Sequence, residues 1–303
     1  MNMLGHEIFF EKPDIYSLRK RFTLFDLHFH TSYTDGQNGV DAIAARARAL
    51  GIGIAITDHN DIRGALEMAL HKDVPFIPGI EVTSREGTHV LLYFYNLKDL
   101  RAFYRQFVRP CLGPSVMSST ALSLESILAA ARGFDALCVF PHPFCALYTG
   151  VCNLSVEPPR LDRLLQSVDG IEVINAENLH RWNLKCARLG RNLRKSLTGG
   201  SDGHSLYSMG RVVTCAACAP TGRAMLDAVR ARQTMVIGKE INLLRKMAAG
   251  GAKMNVDMAR YPELLQKNFR YGYHVIHAKS RALRDRLNMQ PSVKKVERFE
   301  RFQ

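Results

Sequence analysis

From Phe22 to Ala216 the chain alternates two hydrophobic rhythms. Short apolar runs rich in β-branched residues predict strands at FTLFDLHF (22–29), IGIAIT (52–57), VPFIPGIEV (74–82), HVLLYFY (89–95), ALCVF (136–140), GIEVIN (170–175), SLTGG (196–200) and GRVVTCA (210–216). Between them, apolar residues recur at three and four positions. This predicts helices at DAIAARARAL with Asp41 as its cap, at DIRGALEMALH after Asn60 or Asp61, and at LKDLRAFYRQFV, SLESILAAARG, PPRLDRLLQSV, NLHRWNLKCARLGRNL and TGRAMLDAVRAR. Strand alternating with helix predicts an α/β fold of βαβ units on a parallel sheet, which seven or eight units could close into a barrel. The pattern weakens after Gln233. Residues 1–240 are therefore expected to form one barrel, and 241–303 an extension in which MAAGGAKMNVDMARYP links to a short helical segment near 277–288.

One strand breaks the apolar rule. In FDLHFHTSYTDG, alternation puts Asp26, His28 and His30 on one face and Leu27 and Phe29 on the other. A strand that exposes a row of imidazoles and carboxylates on one side is built to hold something there.

Composition narrows the class. Over 303 residues, 47% hydrophobic and 23% charged content is that of a globular protein rather than a disordered one. No apolar run reaches the roughly 20 residues that span a bilayer, and MNMLGHEIFFEKPD lacks the regions of a signal peptide, so a cytoplasmic location is expected. Seven cysteines without a paired framework suit a reducing compartment. Cys215 and Cys218 form a CxxC, but with no second pair or local histidine it reads as a buried structural pair. The net charge of +13 is uneven: residues 241–303 hold 14 Lys+Arg and 5 Asp+Glu, a net of +9. That basic tail, with Phe269, Tyr271 and Tyr273 among its cations, could grip a single strand or pack on the barrel and show its charges to water.

Each polar cluster falls where a predicted strand ends: His28, His30 and then Asp35; Asp58 and His59 in AITDHND; Glu81 in PGIEVTS; His142 in PHP; Asp202 and His204 in SDGHS. His89 opens the next strand. In a parallel barrel such ends converge on one mouth. Imidazole nitrogen and carboxylate oxygen suit Mn²⁺, Zn²⁺ or Fe²⁺, and a carboxylate can bridge two ions roughly 3.5–4 Å apart. A single histidine at a strand end is ordinary; six of the chain's eleven gathered there point to a multinuclear metal site.

LHFHTSYTD, AITDHN, PGIEV followed by THVLLYF, FPHP and GGSDGH resemble, in order, the successive motifs of the polymerase-and-histidinol-phosphatase (PHP) family of metal-dependent phosphoesterases. The resemblance covers about residues 22–240 and stops short of the basic tail. It implies a distorted (β/α)₇ barrel holding two or three divalent ions, manganese first, with zinc or iron(II) as alternatives. His28 and His30 would hold one ion with Glu81 and Asp202; Glu81 would bridge to a second, bound by His89 and His142; Asp35, His59 and His204 would hold a third. Aspartate at 35 is similar to the branch of nucleotide phosphatases and 5′→3′ exonucleases, which implies a nucleotide or the 5′ end of a short nucleic acid as substrate. One departure is that only 52 residues separate His89 from His142, where the exonuclease branch carries a sizeable helical insertion.

The implied chemistry is attack on phosphorus by a hydroxide that bridges the metals, with no protein nucleophile. Consistent with that, the chain has no P-loop or Rossmann glycine fingerprint. Asp58 and Asp26 are candidates to orient ligand rings; alternatively Asp58 caps a helix and Asp26 is bonded within its strand. Arg85, Arg181 and Arg211 lie near motif residues and are candidate phosphate clamps. Rival readings are a small-metabolite phosphomonoesterase of the histidinol-phosphatase type, and a non-catalytic module associated with nucleic acid or a polymerase. No membrane partner is expected, and oligomeric state is open.

Overall fold

The structure is a computed structural model that describes residues 7–145 and 149–241. In chain order its regular elements are β1 (Ile8–Phe9), α1 (Ile15–Leu18), β2 (Thr23–Phe29), α2 (Val40–Leu50), β3 (Gly53–Ile56), α3 (Arg63–Met68), β4 (Phe76–Thr83), β5 (His89–Phe94), α4 (Leu97–Phe103), α5 (Leu124–Ala131), β6 (Ala136–Phe140), α6 (Pro158–Ser167), β7 (Gly170–Asn175), α7 (His180–Leu193), β8 (Ser196–Gly200), β9 (Val212–Ala216), α8 (Gly222–Arg230) and β10 (Met235–Gly238). Every strand expected from the pattern is present. Two short ones escaped it: the two-residue β1, and β10, whose MVIG lies beyond Gln233 where the rhythm fades. The basic extension, apart from Ile241, lies outside the described residues.

The strands form one curled ten-stranded sheet in the order β1-β10-β9-β2-β3-β4-β5-β6-β7-β8. The parallel sheet expected from βαβ rhythm is corrected to a mixed one. β5 runs antiparallel to both β4 and β6, and β9 antiparallel to both β2 and β10. The cause is local: only Ser84–Thr88 separate β4 from β5, and Ser84 N–H to Thr88 O (2.8 Å) closes a tight hairpin too short for a crossover helix.

The curl brings the sheet's ends together at one rim. Gly203, just past β8, pairs with Phe29 at the end of β2, through His30 N–H to Gly203 O (3.0 Å) and Gly203 N–H to His28 O (3.2 Å). Two apolar clusters hold the sheet. The larger packs α2, α3, α5 and α7 on the outer surface, and the smaller unites Phe25, Leu27, Tyr93 and Val139 with Met225 and Val229 of α8.

Two helix starts differ from expectation. Asp41 lies in the first turn of α2, whose cap is Gly39, and α3 begins after Ile62. Asp61 still serves α3, accepting from the Arg63 N–H at 2.8 Å.

A carboxylate and imidazole centre at the strand ends

Six of the strands converge to fill the rim. β2 carries His28 and leads to His30 and Asp35, β3 leads to His59, β4 carries Glu81, and β6 leads to His142. The chain after β8 carries Asp202 and His204. His89, which opens its strand, reaches the same rim because β5 is antiparallel: its first residue pairs with Thr83 at the far end of β4.

Three groups form, each with ligand-type atoms within 4.8 Å of one another: His28, His30 and Asp202; His30, Asp35, His59 and His204; His59, Glu81 and His89. Glu81 is the hub. Its Oε2 lies 3.5 Å from the Nε2 of both His28 and His30 and 3.1 Å from His59 Nδ1; its Oε1 lies 2.9 Å from His89 Nδ1 and 3.6 Å from His142 Nε2. Asp202 Oδ1 faces His30 Nε2 at 3.1 Å and His28 Nε2 at 3.4 Å. Asp35 Oδ2 meets His204 Nε2 at 2.8 Å and His59 Nε2 at 3.7 Å. The grouping thus differs from the expected one. His30 also joins Asp35, His59 and His204, His59 also joins Glu81 and His89, Glu81 is not grouped with His28, His30 and Asp202, and His142 stands beside Glu81 without joining a group.

Burial makes this arrangement costly unless something is shared. Both Glu81 oxygens, His28 Nε2, His59 Nδ1 and His89 Nδ1 are buried without a hydrogen bond of proper geometry, although their neighbours are close. Native proteins rarely leave buried polar atoms so. Buried ligand-type atoms that lie close together without hydrogen-bonding are what a set of divalent cations would satisfy, so the residues present fit such ions. Ionisation agrees. Burial would raise Glu81, but His89, His59 and His28 hold it well below the usual carboxylate range; Asp202 is likewise lowered against its burial by His28, His30 and His204. Burial pushes His89 down to about 4, against the pull of Glu81. Burial also opposes a proton on His28, yet Asp202, Glu172 and Glu81 raise its pKa well above the ordinary imidazole value.

The backbone is bent to aim these groups. His142 (φ 31°), Asp202 (φ 50°) and Asn60 (φ 50°) occupy the left-handed region without being glycine, a strain that persists only where surroundings enforce it. Asn60 shows how: its Nδ2 donates to Val116 O (2.7 Å) and Ser118 O (3.0 Å), and its Oδ1 accepts from Thr83 N–H (2.8 Å). Gly200 is required for another reason, since a Cβ there would lie 2.4 Å from the Cβ of His28.

Asp58 and Asp26 brace loops rather than rings. Asp58 accepts from Thr31 N–H (2.7 Å), Thr31 Oγ1 (2.7 Å) and Thr34 Oγ1 (2.8 Å), pinning the turn that carries Asp35. Asp26 accepts from Ser201 N–H (2.8 Å) and Gly210 N–H (3.0 Å), tying down both ends of the segment that carries Asp202 and His204. Its expected place beside the imidazoles is corrected by a register slip between Asp26 and Phe29. Strict alternation would put Leu27 and Phe29 on one side. Instead Leu27 joins Phe25 in the smaller cluster and Phe29 joins Leu24 in the larger, so the strand changes face between Asp26 and His28.

The sequence reading missed Glu172 and Asn175. Glu172 Oε1 accepts from His28 Nδ1 (3.0 Å), and its Oε2 accepts from His142 N–H (2.9 Å) and Asn175 Nδ2 (2.9 Å). Asn175 Nδ2 also reaches Asp202 Oδ2 at 3.2 Å. A signal was available: GIEV at 170–173 repeats GIEV at 79–82, and an acid inside a wholly buried strand needs partners. Of the candidate clamps, Arg85 and Arg181 are exposed, the latter 4.8 Å over Trp182, while Arg211 is half-buried over Tyr207 at 4.2 Å.

Comparison with known proteins places this geometry. Residues 26–148 match the family described as PHP domain, and residues 180–234 match the one described as PHP-associated. The 3′,5′-nucleoside bisphosphate phosphatase of Chromobacterium violaceum is 38% identical over 73 residues, 22% of this chain and 25% of that protein. The chain therefore spans about a quarter of the length of that curated relative. Among solved structures, PsfC from Pseudomonas syringae PB-5123 is similar with a TM-score of 0.56 at 19% identity, over 78% of this chain and 99% of that one. The lesion-specific endonuclease PfuEndoQ from Pyrococcus furiosus has a TM-score of 0.56 at 18% identity, over 71% of this chain and 57% of that one. At such identities the two structures speak for the fold alone.

Proposed function

We propose, from the premise that this chain belongs to the PHP family and is a metal-dependent phosphoesterase, that its substrates are phosphate esters of nucleotides or the 5′ end of short nucleic acids. The observation that carries this reading is the Glu81-centred set of buried, hydrogen-bond-deficient ligand atoms, in a chain that is 38% identical over 73 residues to a nucleoside bisphosphate phosphatase. We take the three groups as places for two or three ions, manganese by preference, with zinc and iron(II) as alternatives.

Divalent ions held there supply an acidified water and neutralise charge on phosphoryl oxygens, the two obstacles to hydrolysing a phosphate ester. The chain's own residues do the rest. Glu81 and Asp202 are ionised at neutral pH and so remain acceptors. Glu172 receives the Nδ1 proton of His28, which fixes the tautomer and leaves Nε2 directed at Glu81 and Asp202. Asp58 and Asp26 hold the loops of Asp35 and His204 so that the second group keeps its shape without substrate.

We read the curled sheet as the distorted (β/α)₇ barrel of the family and 241–303 as a separate basic extension. Seven free thiols, Cys215 and Cys218 among them, support a cytoplasmic setting; among the described residues no helix is long and apolar enough to cross a membrane.

The test is phosphate release by the manganese-loaded protein from a 5′-phosphorylated oligonucleotide, a nucleoside monophosphate, a nucleoside 3′,5′-bisphosphate and histidinol phosphate, with His28→Ala as control. Turnover of the nucleotides or stepwise release of mononucleotides, lost in the control, supports the reading. Turnover of histidinol phosphate alone would replace it with a metabolite phosphatase.

A further inference from the structure

Seven residues past His204 the rim carries a cation that the ligand set does not use. Because β9 runs antiparallel to β2, its leading end lies at the rim, and Arg211 stands immediately before it. Arg48, Arg63, Arg160 and Arg230 each pair with a carboxylate; among the described residues Arg211 makes no such pair, and its Nε is buried without a hydrogen bond. A buried guanidinium nitrogen left so costs free energy that an anion would recover.

The segment around it is held firmly. Gly210 N–H is fixed by Asp26, Leu206 N–H donates to Asn38 Oδ1 (3.2 Å), and Gln37 N–H donates to His204 O (2.8 Å), stitching it to the loop of Asp35. The guanidinium lies 4.2 Å from the centre of the Tyr207 ring, and Tyr207, three residues past His204, is 50% exposed. On the Asp35 loop a second such pair, Arg63 over Tyr33 at 4.7 Å, makes the contrast. There the guanidinium is engaged by Asp61 (2.5 and 2.8 Å) and the phenol by Glu67 (2.7 Å), so its charge is already answered.

We propose that Arg211 is a specificity-determining residue that takes a non-reacting phosphate of the substrate, with the exposed ring of Tyr207 offering a stacking surface to the attached base. The ligand class is a nucleotide bearing two phosphates, a 3′,5′-bisphosphate or the end of an oligonucleotide; this rests on the nucleotide reading above. A planar fork suits a phosphate in two-point contact, and a base has a face for an aromatic ring.

The experiment is steady-state kinetics of the manganese-loaded full chain on a nucleoside 3′,5′-bisphosphate and on p-nitrophenyl phosphate, read as the ratio of the two kcat/KM values. Arg211→Ala is expected to lower that ratio by about tenfold or more, mainly through KM for the bisphosphate. Arg211→Lys, which keeps the charge but not the fork, recovers part of it. Tyr207→Ala lowers the ratio by a smaller factor, which Tyr207→Phe restores. An unchanged ratio in both Arg211 variants, whether the two activities hold or fall together, overturns the proposal. Wild-type turnover of p-nitrophenyl phosphate without any of the nucleotide overturns the nucleotide reading itself.

Discussion

Two strands of the curled sheet carry the same four residues, Gly79-Ile80-Glu81-Val82 in β4 and Gly170-Ile171-Glu172-Val173 in β7, and use their carboxylates in opposite ways. Both acids are buried. Glu172 is fully answered by protein donors: a ring nitrogen, a backbone amide and a side-chain amide. Glu81 sits among the nitrogens of five histidines, and neither oxygen makes a hydrogen bond. One carboxylate is satisfied and organises; the other is unsatisfied and receives. The tetrapeptide buries the acid in both strands, and the neighbouring strands decide which kind it becomes.

The comparison can be broken by substitution. Glu81→Gln is expected to empty the centre, lowering kcat/KM by about a thousandfold or more together with bound metal measured by elemental analysis. Glu172→Gln should weaken metal binding by about 10- to 100-fold, because an amide NH₂ would face either the His28 ring proton or the His142 N–H. Titration with a metal chelator measures both, and equal losses would erase the distinction between the two glutamates. Asn175→Ala, which removes one donor from Glu172 and one from Asp202, should cost less, on the order of a few-fold.

Protons sharpen the same contrast. His28 and His142 keep theirs above the ordinary imidazole range, and a metal bound there would have to displace them. A histidine with a raised folded pKa stabilises the metal-free fold below about pH 6.5, and that contribution is lost as pH climbs through the folded value. The lowered Glu81 and Asp202 contribute at every pH above the ordinary carboxylate value and do not vary over this window. Hence the rise in Tm on adding manganese should widen from about pH 6 to about pH 8, with protons released on binding; isothermal calorimetry in buffers of different ionisation enthalpy counts them. Asp26 has the opposite sign of a normal acid. Burial raises it to about 6, so its contribution favours the fold at low pH and is lost as pH rises from about 4 to about 6. Asp26→Asn should flatten that slope in thermal melts, the smallest of these effects.

Much of this was legible in the chain. The strands from Thr23 to Ala216 follow from apolar runs because burial on a pleated surface demands them, and His28, His30, His59, Asp202 and His204 stand out because such runs ought not to end in clustered imidazoles and acids. Three things were not legible. Strand direction was hidden, since nothing in HVLLYFY distinguishes a strand entering the rim from one leaving it; the short Ser84–Thr88 link was the available hint. The face of Asp26 was misread because a register slip leaves no mark in the residue pattern. Glu172 was overlooked because its meaning lies in His28, 144 positions away.

By itself, then, the sequence determined where strands and helices form and which donor chemistry collects at their ends, because hydrophobic periodicity and side-chain chemistry are local properties. The tertiary structure alone decided that β5 and β9 run backwards, that His59 faces both Asp35 and Glu81, that Glu172 is satisfied while Glu81 is not, and that Arg211 stands at the rim with its charge unanswered. Those are relations between atoms far apart in the chain, and they exist only once the sheet has curled and brought its two ends to the same place.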